Sequence, residues 1–552
     1  MSFQDKLQAL IEAEGIPVQL EVPPDTSLGD YALPCFPLAK AMKKAPNQIA
    51  EDLAKKFTAD FLEDVQATGP YVNFFIKKDA FAKATLKEIQ DKGSEYGSQA
   101  KKNDNVMIEY SQPNTHKAFH VGHLRGTSLG ESLARILRFA GYTVVQANYS
   151  GDTGAHIAKW LWYYTNNKET PPKENIEQWI ANIYVKAVQA LADDPDKQAE
   201  VDVMLAKLDA KEPGALFDTY TTTRQLSIDA FKRIYKELDA HFDEWFFESA
   251  MDEHAKTISN ELATRKIAKE DDGAIIMDLE DVNLGIWVLL RKDGTPLYSA
   301  KDLALAEDKF KKYNVDRSIY VVGAAQSMHF KQLFETLERM EFEQTDKCFH
   351  LSFTEVRLPE GKMSSRTGQN ILYSDMHAQV ADYATEEIQK RHEDWTPEQI
   401  ATVVHHVTIA ALKYDMLAIN PNKTITFDPK NATAFEGETG PYLLYTYARA
   451  SSILRKATPE IVDGSTLTHE KELALLRALA AFPAAVDRAT REYMPSYVAH
   501  CAMSIAKTFN SFYHECPVLQ EERKDRVALV QAAVIVLGKA LTLLGIKAPE
   551  EM

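Results

Sequence analysis

The sequence predicts a multidomain α/β protein whose central part is a doubly wound parallel sheet of the Rossmann type. Three observations support this fold class. The chain of 552 residues is too long for a single hydrophobic core. A strand, a turn, a helix and a second strand follow one another from Asn105 to Val145, which is the pattern of a βαβ unit. From residue 396 onward the apolar periodicity is that of helices alone.

Residues 1–104 are predicted to form an N-terminal α+β module. We expect one helix from Phe3 to Ala13 and a second over the apolar pattern from Leu38 to Phe57. The stretch from Gly69 to Ile76 alternates and is rich in aromatic residues, as β-strands are. The polar run 93–104 indicates a linker to the next domain.

Residues 105–395 are predicted to form the doubly wound domain. Its first unit contains a strand at 106–110, the turn Ser111-Gln-Pro-Asn114 and a helix that ends near Gly141. Further strands are expected at 286–290 and 318–323, with a helix from Tyr298 to Phe310 between them. The acidic, helix-rich stretch at about 155–285, which includes Trp245-Phe-Phe247, is interpreted as an insertion between the two halves of the sheet.

Residues 396–552 are predicted to form an all-α helical bundle. Five amphipathic helices are expected, at 397–414, 440–456, 470–485, 494–512 and 525–545. The apolar segment from Val527 to Ile546 is interrupted by Gln531 and Lys539, so it is interpreted as a buried helix rather than a membrane span.

The composition excludes several classes of protein. A net charge of −17 argues against indiscriminate binding of nucleic acid, DNA included. The four cysteines have no short paired spacing, so neither a disulfide framework nor a zinc knuckle is indicated, and no metal-ligating residues are assigned. The first residues contain no apolar run behind their charges, so we expect no signal peptide and a cytoplasmic protein.

Two histidines stand in the turn that opens the first helix of the sheet domain. In open α/β sheets, ligands bind beyond the strand ends, where helix N-termini favour phosphate oxygens. His120 and His123 add imidazole N–H donors there, and Gly122 lets a base or ribose approach the backbone. Two histidines three residues apart could instead bind a metal or lie on a helix face. The preceding strand and turn favour a nucleotide site.

A second candidate phosphate-binding segment lies between Gly361 and Gly368. It contains Lys362-Met363-Ser364-Ser365-Arg366, which offer an ammonium group and several N–H and O–H donors to a polyphosphate. Taken alone, this segment would be interpreted as a solvated turn with two basic residues. Its pairing with the histidine turn favours ATP as the common ligand.

These segments resemble the class I aminoacyl-tRNA synthetases, and in particular the bacterial type of the arginyl-tRNA synthetase family. The resemblance covers nearly the whole chain and rests on six stretches: Gly29-Asp-Tyr-Ala32 with Gly69-Pro-Tyr-Val-Asn-Phe-Phe75, Glu109-Tyr-Ser-Gln-Pro-Asn-Thr-His-Lys-Ala-Phe-His-Val-Gly-His-Leu-Arg125, Leu297-Tyr-Ser-Ala-Lys-Asp302, Tyr320-Val-Val-Gly-Ala-Ala-Gln326-Ser-Met-His329 and Gly440-Pro-Tyr-Leu-Leu-Tyr-Thr-Tyr-Ala-Arg449. Where class I enzymes commonly have a second lysine in the second motif, this chain has Ser365. The resemblance therefore leaves open whether Lys117 or Arg366 shares the stabilisation of pyrophosphate.

The resemblance implies an arginine–tRNA ligase. Such an enzyme activates L-arginine with ATP to arginyl-adenylate and pyrophosphate, and then transfers arginine to the 3′-terminal ribose of its tRNA. It implies that His120, His123 and Lys362 are catalytic and that Mg²⁺ acts on the departing pyrophosphate. ATP would be bound by the residues of the two phosphate-binding segments, namely His120, Gly122, His123, Lys117, Lys362, Met363, Ser364, Ser365 and Arg366.

The predicted arginine pocket has its own physical rationale. A guanidinium group is always charged and planar, so its pocket needs a carboxylate placed for paired hydrogen bonds. Tyr298 and Asp302 are four residues apart and share one helix face. Asp302 as an exposed charge near a helix end is the competing interpretation. The resemblance further implies that Glu109 and Asn114 hold the α-amino end of arginine and that Gln326 completes the pocket.

The tRNA is expected to contact both ends of the chain. Tyrosine and arginine side chains of the bundle offer stacking planes and phosphate contacts to an anticodon loop, although at least half of them are expected to pack inside the bundle. The resemblance implies that the N-terminal module contacts the tRNA elbow and that tRNA must bind before arginine is activated. The candidate tRNA-binding residues are Asn73, Phe75, Tyr442, Tyr445, Arg449 and Arg455.

The sequence alone leaves several alternative functions open. A lysyl or glutamyl specificity is the nearest, and the carboxylate of Asp302 disfavours it. A small-molecule nucleotidyltransferase would not need the flanking domains, and a tRNA-binding paralogue that has lost catalysis is disfavoured by the intact site residues. We expect a monomer that meets no membrane.

Overall fold

The computed structural model describes residues 3–23, 28–359, 371–457, 459–519 and 523–552. These residues form two compact units. The first unit comprises residues 1–96, 450–480 and 507–536, and the second comprises 97–449, 481–506 and 537–552.

The N-terminal elements alternate helices with short strands. In chain order they are α1 (Phe3–Ala13), β1 (Tyr31–Pro34), α2 (Ala39–Met42), α3 (Pro46–Ala54), β2 (Leu62–Thr68), β3 (Tyr71–Ile76) and α4 (Lys78–Lys92). The strands form an antiparallel sheet in the order β1-β3-β2. The expected helix at 38–57 is divided in two, because Lys43 is left-handed and Pro46 opens α3 at a position where its missing N–H is not needed.

The middle of the chain alternates strands and helices. Its elements are β4 (Asn105–Glu109), α5 (Val121–Phe139), β5 (Thr143–Ser150), α6 (Ala155–Asn167), α7 (Ile176–Asp193), α8 (Gln198–Asp209), α9 (Ala215–Glu237), β6 (Glu244–Phe247), α10 (Asp252–Thr264), β7 (Lys269–Asp271), β8 (Ala274–Leu279), β9 (Gly285–Leu290), α11 (Tyr298–Tyr313), β10 (Arg317–Gly323), α12 (Ser327–Arg339), β11 (Cys348–Phe353), β12 (Val356–Arg357) and α13 (Tyr373–Arg391).

The remaining elements are helical apart from one short strand. They are α14 (Pro397–Ala418), β13 (Ile425–Thr426), α15 (Pro429–Ala432), α16 (Gly440–Lys456), α17 (Glu470–Ala480), α18 (Phe482–Glu492), α19 (Ser496–Glu515) and α20 (Lys524–Leu543). The single helix expected at 470–485 is two helices, and Pro483 lies in the first turn of the second one, where helices tolerate proline. α20 is long and apolar enough to cross a membrane by length and composition, but most of it is buried in the protein, as in a core helix.

The predicted doubly wound sheet is confirmed in the second unit. Five parallel strands lie in the order β11-β10-β4-β5-β6. The chain leaves β4 through α5 to β5 on one side, while β10 pairs with the other side of β4. The strand order therefore reverses at β4, and the crevice at its carboxyl end is where ligands of such sheets bind.

Two expectations about the composition of the parallel sheet were wrong. Trp245-Phe246-Phe247, assigned to the insertion, belongs to β6, an edge strand of the parallel sheet. Residues 286–290, expected in that sheet, form β9 of a separate antiparallel sheet in the order β7-β8-β9. The periodicity of a strand shows that it is extended, but it does not specify which neighbour it pairs with.

The first helix of the sheet domain is held rigidly against its strand. Tyr110 is fully buried, and its hydroxyl donates to Glu131 of α5 at 2.8 Å. Gly130 makes this approach possible, because a Cβ built there would lie 2.2 Å from Cγ of the Tyr110 ring. On the other face, the buried guanidinium of Arg125 donates to the backbone oxygens of Thr354, at 2.7 Å, and Lys423, at 2.9 Å. The N-terminal end of α5 is thereby fixed in position.

The cysteines behave as the sequence predicts. Cys35, Cys348, Cys501 and Cys516 all lie in the described part of the chain, and all are free thiols.

Candidate active site

A cavity of about 1130 Å³ opens at the carboxyl ends of the parallel strands. Its walls include residues that end or follow β4, β5, β6 and β10, the N-terminal turns of α11, and parts of α8, α9 and α10. This is the place that the reversal of strand order predicts for a ligand.

All five side chains predicted to bind arginine line this one cavity: Glu109, Asn114, Tyr298, Asp302 and Gln326. They come from positions almost 220 residues apart in the chain, so their meeting is a property of the fold. Tyr298 is 55% exposed and lies at the mouth of the cavity, whereas Glu109 is 3% exposed at its base.

Asp302 has a partner that the sequence analysis did not assign. Nε2 of the buried His329 lies 2.6 Å from a carboxylate oxygen of Asp302. The ring of His329 in turn packs against those of Trp287 and Tyr298, with centroids 5.4 Å and 5.0 Å away. His329 follows Gln326 by three residues, the spacing that places two side chains on one face of a helix, and this signal could have identified it.

Glu109 is already bound within the protein. Its carboxylate forms an ion pair with the fully buried Lys309, and it accepts a hydrogen bond of 2.7 Å from Nε2 of Gln112. Lys309 was not predicted from the sequence, because it lies 200 residues away. The pairing keeps Glu109 from being an uncompensated buried charge at the base of the cavity.

A second, half-buried carboxylate, that of Glu248, lines the cavity just beyond the end of β6. Burial raises the pKa of Glu248 to about 7, with the negative charges of Asp302 and Asp152 adding to the effect and Lys301 opposing it. Asp152 is held by the guanidinium of Arg224, with Nε 2.7 Å from Oδ2. Glu248 was missed because β6 had been assigned to the insertion.

The cavity as a whole suits a cationic ligand. Among the described residues its lining has eight carboxylates and four lysine or arginine side chains, and one of these cations, Lys301, is itself paired with Asp252 at 2.9 Å. The buried hydroxyl of Tyr149 lines the same cavity and has no hydrogen-bond partner among the residues that the structure describes. Such a group is available to a bound ligand.

The two histidines of the turn have defined tautomers. Nδ1 of His120 accepts from the backbone N–H of Gly122, and Nδ1 of His123 accepts from the N–H of His120, both at 3.1 Å. Burial, with Lys117 nearby, lowers the pKa of His120 to about 4; burial and His120 hold the pKa of His123 well below its usual range. Both rings are therefore neutral near pH 7 and carry their proton on Nε2, as donors.

The histidine turn caps α5 and lies outside the lining of the cavity. His120 is the N-cap of the helix, and its ring stacks on that of His123 with centroids 3.8 Å apart. Gly122 is required by this stack, since a Cβ there would lie 2.9 Å from Cε1 of His120. Lys117 is half-buried over the ring of Tyr184, and burial lowers its pKa.

The turn is bound to the residues that follow the second phosphate-binding segment. Val121 donates its backbone N–H to Ile371 at 3.0 Å, and Tyr373 donates to Phe119 at 3.0 Å. The predicted residues Lys362, Met363, Ser364, Ser365 and Arg366 themselves lie outside the described part of the chain. The described residues that follow the segment in the chain, Ile371 and Tyr373, are bound to the histidine turn.

The candidate tRNA-binding residues differ in accessibility. Asn73 is 4% exposed inside the N-terminal sheet, while Phe75 is half-buried. Tyr445 and Arg449 form a pair on α16, with a hydrogen bond of 2.8 Å and the guanidinium over the ring. Tyr442 is half-buried and Arg455 is exposed.

The fold and this site define a class I aminoacyl-tRNA synthetase. Residues 85–428 match the family described as tRNA synthetases class I (R), catalytic domain. Residues 1–76 match the arginyl tRNA synthetase N terminal domain, and residues 443–552 match the DALR anticodon binding domain.

Individual proteins give the same result over the full length. The arginine–tRNA ligase of Bdellovibrio bacteriovorus is 38% identical over 96% of this chain and 93% of its own length. That of Clostridium perfringens is 36% identical over 98% and 97%. The solved arginyl-tRNA synthetase of Thermus thermophilus superimposes with a TM-score of 0.85 at 26% identity, covering 100% of this chain and 99% of that one.

The chain belongs to the arginyl-tRNA synthetase family. It therefore activates arginine with ATP and charges tRNA with it, as the sequence predicted, and the lysyl and glutamyl alternatives fall away.

Proposed function

We propose that the cavity binds L-arginine with its guanidinium group between Asp302 and Glu248. The observation that carries this proposal is that two carboxylates from separate elements, Asp302 in α11 and Glu248 just after β6, line one cavity, and that Asp302 is fixed by His329. A planar, permanently charged group with five donors can bond to both carboxylates at once. The ring of Tyr298 at the mouth would flank it.

The α-amino end of arginine would lie toward Asn114 and Glu109. Both carboxylate oxygens of Glu109 already have partners, Lys309 and Gln112. Glu109 therefore contributes mainly negative potential, and the amide oxygen of Asn114 is the better direct acceptor. Gln326, exposed at the rim, would complete the pocket.

ATP would bind at the N-terminus of α5. The neutral rings of His120 and His123 offer Nε2–H donors, Gly122 and the helix N-terminus offer backbone N–H groups, and Lys117 offers a positive charge. The binding of Ile371 and Tyr373 to this turn supports a role for the preceding segment, in which Lys362, Met363, Ser364, Ser365 and Arg366 would bind the phosphates.

The reaction then needs positioning rather than a protein nucleophile. An oxygen of the arginine carboxylate attacks the α-phosphorus in line, the bond to the bridging oxygen breaks, and pyrophosphate leaves. A ribose hydroxyl of the tRNA next attacks the carbonyl carbon, and AMP leaves. Donors already fixed at His120 and His123 stabilise the growing negative charge without having to reorganise.

Mg²⁺ would come to the site with ATP. The side chains of the turn itself, His120, His123 and Lys117, are donors, so they suit the phosphates and not the ion. Mg²⁺ is commonly held by substrate phosphates and water with few protein ligands, and there it would neutralise the leaving pyrophosphate.

The three parts of the chain would have separate tasks. Residues 1–104 would contact the tRNA elbow through Asn73 and Phe75, residues 105–395 would perform the chemistry, and residues 396–552 would read the anticodon through Tyr442, Tyr445, Arg449 and Arg455. The three family matches support this division. Because Asn73 is buried, we expect it to act by holding its strand. One chain supplies every residue invoked, which fits a cytoplasmic monomer.

The test is arginine-dependent exchange of pyrophosphate into ATP, measured with and without the tRNA. We expect exchange only when the tRNA is present. Asp302→Asn should raise the KM for arginine about 10- to 150-fold, because it removes a charge-assisted bond of roughly 1.5–3 kcal/mol, while the KM for ATP stays nearly unchanged.

Asp308→Asn is the matched control, since Asp308 lies on the same helix but does not line the cavity. Equal changes in the KM of arginine and ATP would show that Asp302 does not bind arginine. Exchange with lysine in place of arginine would overturn the pocket assignment as a whole.

A further inference from the structure

A histidine-rich cluster lies in the second unit, among residues that the reaction does not use. It consists of Glu237 at the end of α9, His377 in α13 and His405 in α14. One ligand atom from each residue lies within 4.8 Å of those of the other two, and none of the three lines the arginine cavity. Three different helices therefore converge on one point.

The contact between Glu237 and His377 is close without being a well-directed hydrogen bond. Nε2 of His377 lies 3.0 Å from Oε1 of Glu237. That nitrogen is buried and makes no hydrogen bond of good geometry with any residue that the structure describes. The nitrogen and the carboxylate oxygen are thus close enough together to bind one ion in common.

The carboxylate is oriented from its other side. The hydroxyl of the buried Tyr373 donates to Oε2 of Glu237 at 2.6 Å. An outer hydrogen bond of this kind fixes the direction of a metal-binding carboxylate. His405 is exposed, so its ring has the freedom to turn toward the other two groups.

We propose that Glu237, His377 and His405 bind a divalent transition-metal ion of the Zn²⁺ type. Two imidazole nitrogens and one carboxylate oxygen are ligands that Zn²⁺ accepts at about 2.0–2.2 Å, which places neighbouring ligand atoms of a tetrahedral site about 3.4 Å apart. The fixed pair at 3.0 Å is close to this value, and rotation of His405 brings in the third. The exposed side leaves the fourth position to water.

The ion would join parts of the chain that are far apart in sequence. α9 belongs to the stretch between β5 and β6, and α13 follows directly after the segment that contains Lys362. Tyr373 of α13 also binds the histidine turn through Phe119. The expected consequence is higher thermal stability of this junction, independent of how arginine is bound.

The experiment uses the full-length untagged chain, freed of metal with a chelator that is then removed. Co²⁺ is titrated while visible absorption is recorded, since bound tetrahedral Co²⁺ absorbs strongly, and Zn²⁺ is then added as competitor. We expect one ion per chain, displacement of Co²⁺ by Zn²⁺, and a higher melting temperature with Zn²⁺ than without it.

His405→Ala should weaken binding at least tenfold and abolish the rise in melting temperature. Because His405 is exposed, its loss should leave the fold intact, which circular dichroism checks. His406→Ala, the neighbouring histidine on the same helix, should bind as the parent does. The absence of saturable Co²⁺ binding, or equal binding by the His405→Ala chain and the parent, would overturn the proposal.

Discussion

The affinity for arginine should depend on pH through Glu248. Burial raises the pKa of this carboxyl to about 7, so it titrates near neutral pH. Its neighbour His156, by contrast, has its pKa lowered by burial to about 3. Only the ionised carboxylate attracts a guanidinium, so binding should strengthen as pH rises through 7.

The size of the effect follows from the ionised fraction. One pH unit below the pKa, about one tenth of Glu248 is ionised, and one unit above it about nine tenths. If only this form binds arginine, the apparent Kd falls about tenfold between pH 6 and pH 8. In Glu248→Gln the slope should disappear, and at pH 8 binding should be about 10- to 150-fold weaker for loss of a charge-assisted bond.

Direct calorimetric binding of arginine, without ATP, measures this cleanly, because the phosphates of ATP also titrate in this range. Citrulline, which has the shape of arginine without its charge, should bind weakly and with no dependence on pH. A flat profile for the parent chain, or the same slope in the Gln variant, would refute the assignment of Glu248 to the guanidinium.

The remaining predictions concern stability. Gly130→Ala should lower the free energy of unfolding by about 3 kcal/mol or more, because the new Cβ would lie 2.2 Å from the Tyr110 ring. Urea denaturation measures this loss. The control is Ser128→Ala on the same helix, which should change the free energy of unfolding little, because the buried hydroxyl of Ser128 has no partner among the described residues. Glu177 accepts from the N–H of Phe119 at 3.1 Å, and burial raises its pKa from 4.5 to about 7. The folded state thus binds the proton of the Glu177 carboxyl more tightly than the unfolded state does. The resulting contribution to the free energy of unfolding is fully present below pH 4.5 and is lost as pH rises through 7, by on the order of 3 kcal/mol. In Glu177→Gln the free energy of unfolding should no longer fall over this pH range. An unchanged dependence of the free energy of unfolding on pH would contradict the prediction.

The sequence was most informative where function requires fixed local patterns. Patterns only a few residues long predict the histidine turn, the helix that begins at Tyr298 and the strand that ends at Glu109. The five predicted arginine ligands do line one cavity. Their individual roles remain predictions. The fold class and the family are confirmed by the sheet topology and by the comparisons.

What the sequence did not reveal are partners brought together only by the tertiary fold. Lys309 neutralises Glu109 from 200 residues away, and His329 fixes Asp302 from another helix. Glu248 was missed because the strand that precedes it was not recognised and its residues were included in the insertion. Strand pairing is decided by packing between distant segments, and a single sequence carries no direct record of it.

The helices between β5 and β6 hold parts of the candidate active site in position. α7 supplies Glu177 to the backbone just before His120, and α9 supplies Arg224 to Asp152 in the cavity wall. A shortened enzyme that lacked these helices would keep every predicted catalytic residue and still lose the groups that aim them. If ATP and arginine bind as proposed, a molecule bound to the outer faces of α7 and α9 would be connected to each site through one of these two contacts. An inhibitor found there would act without resembling either ATP or arginine.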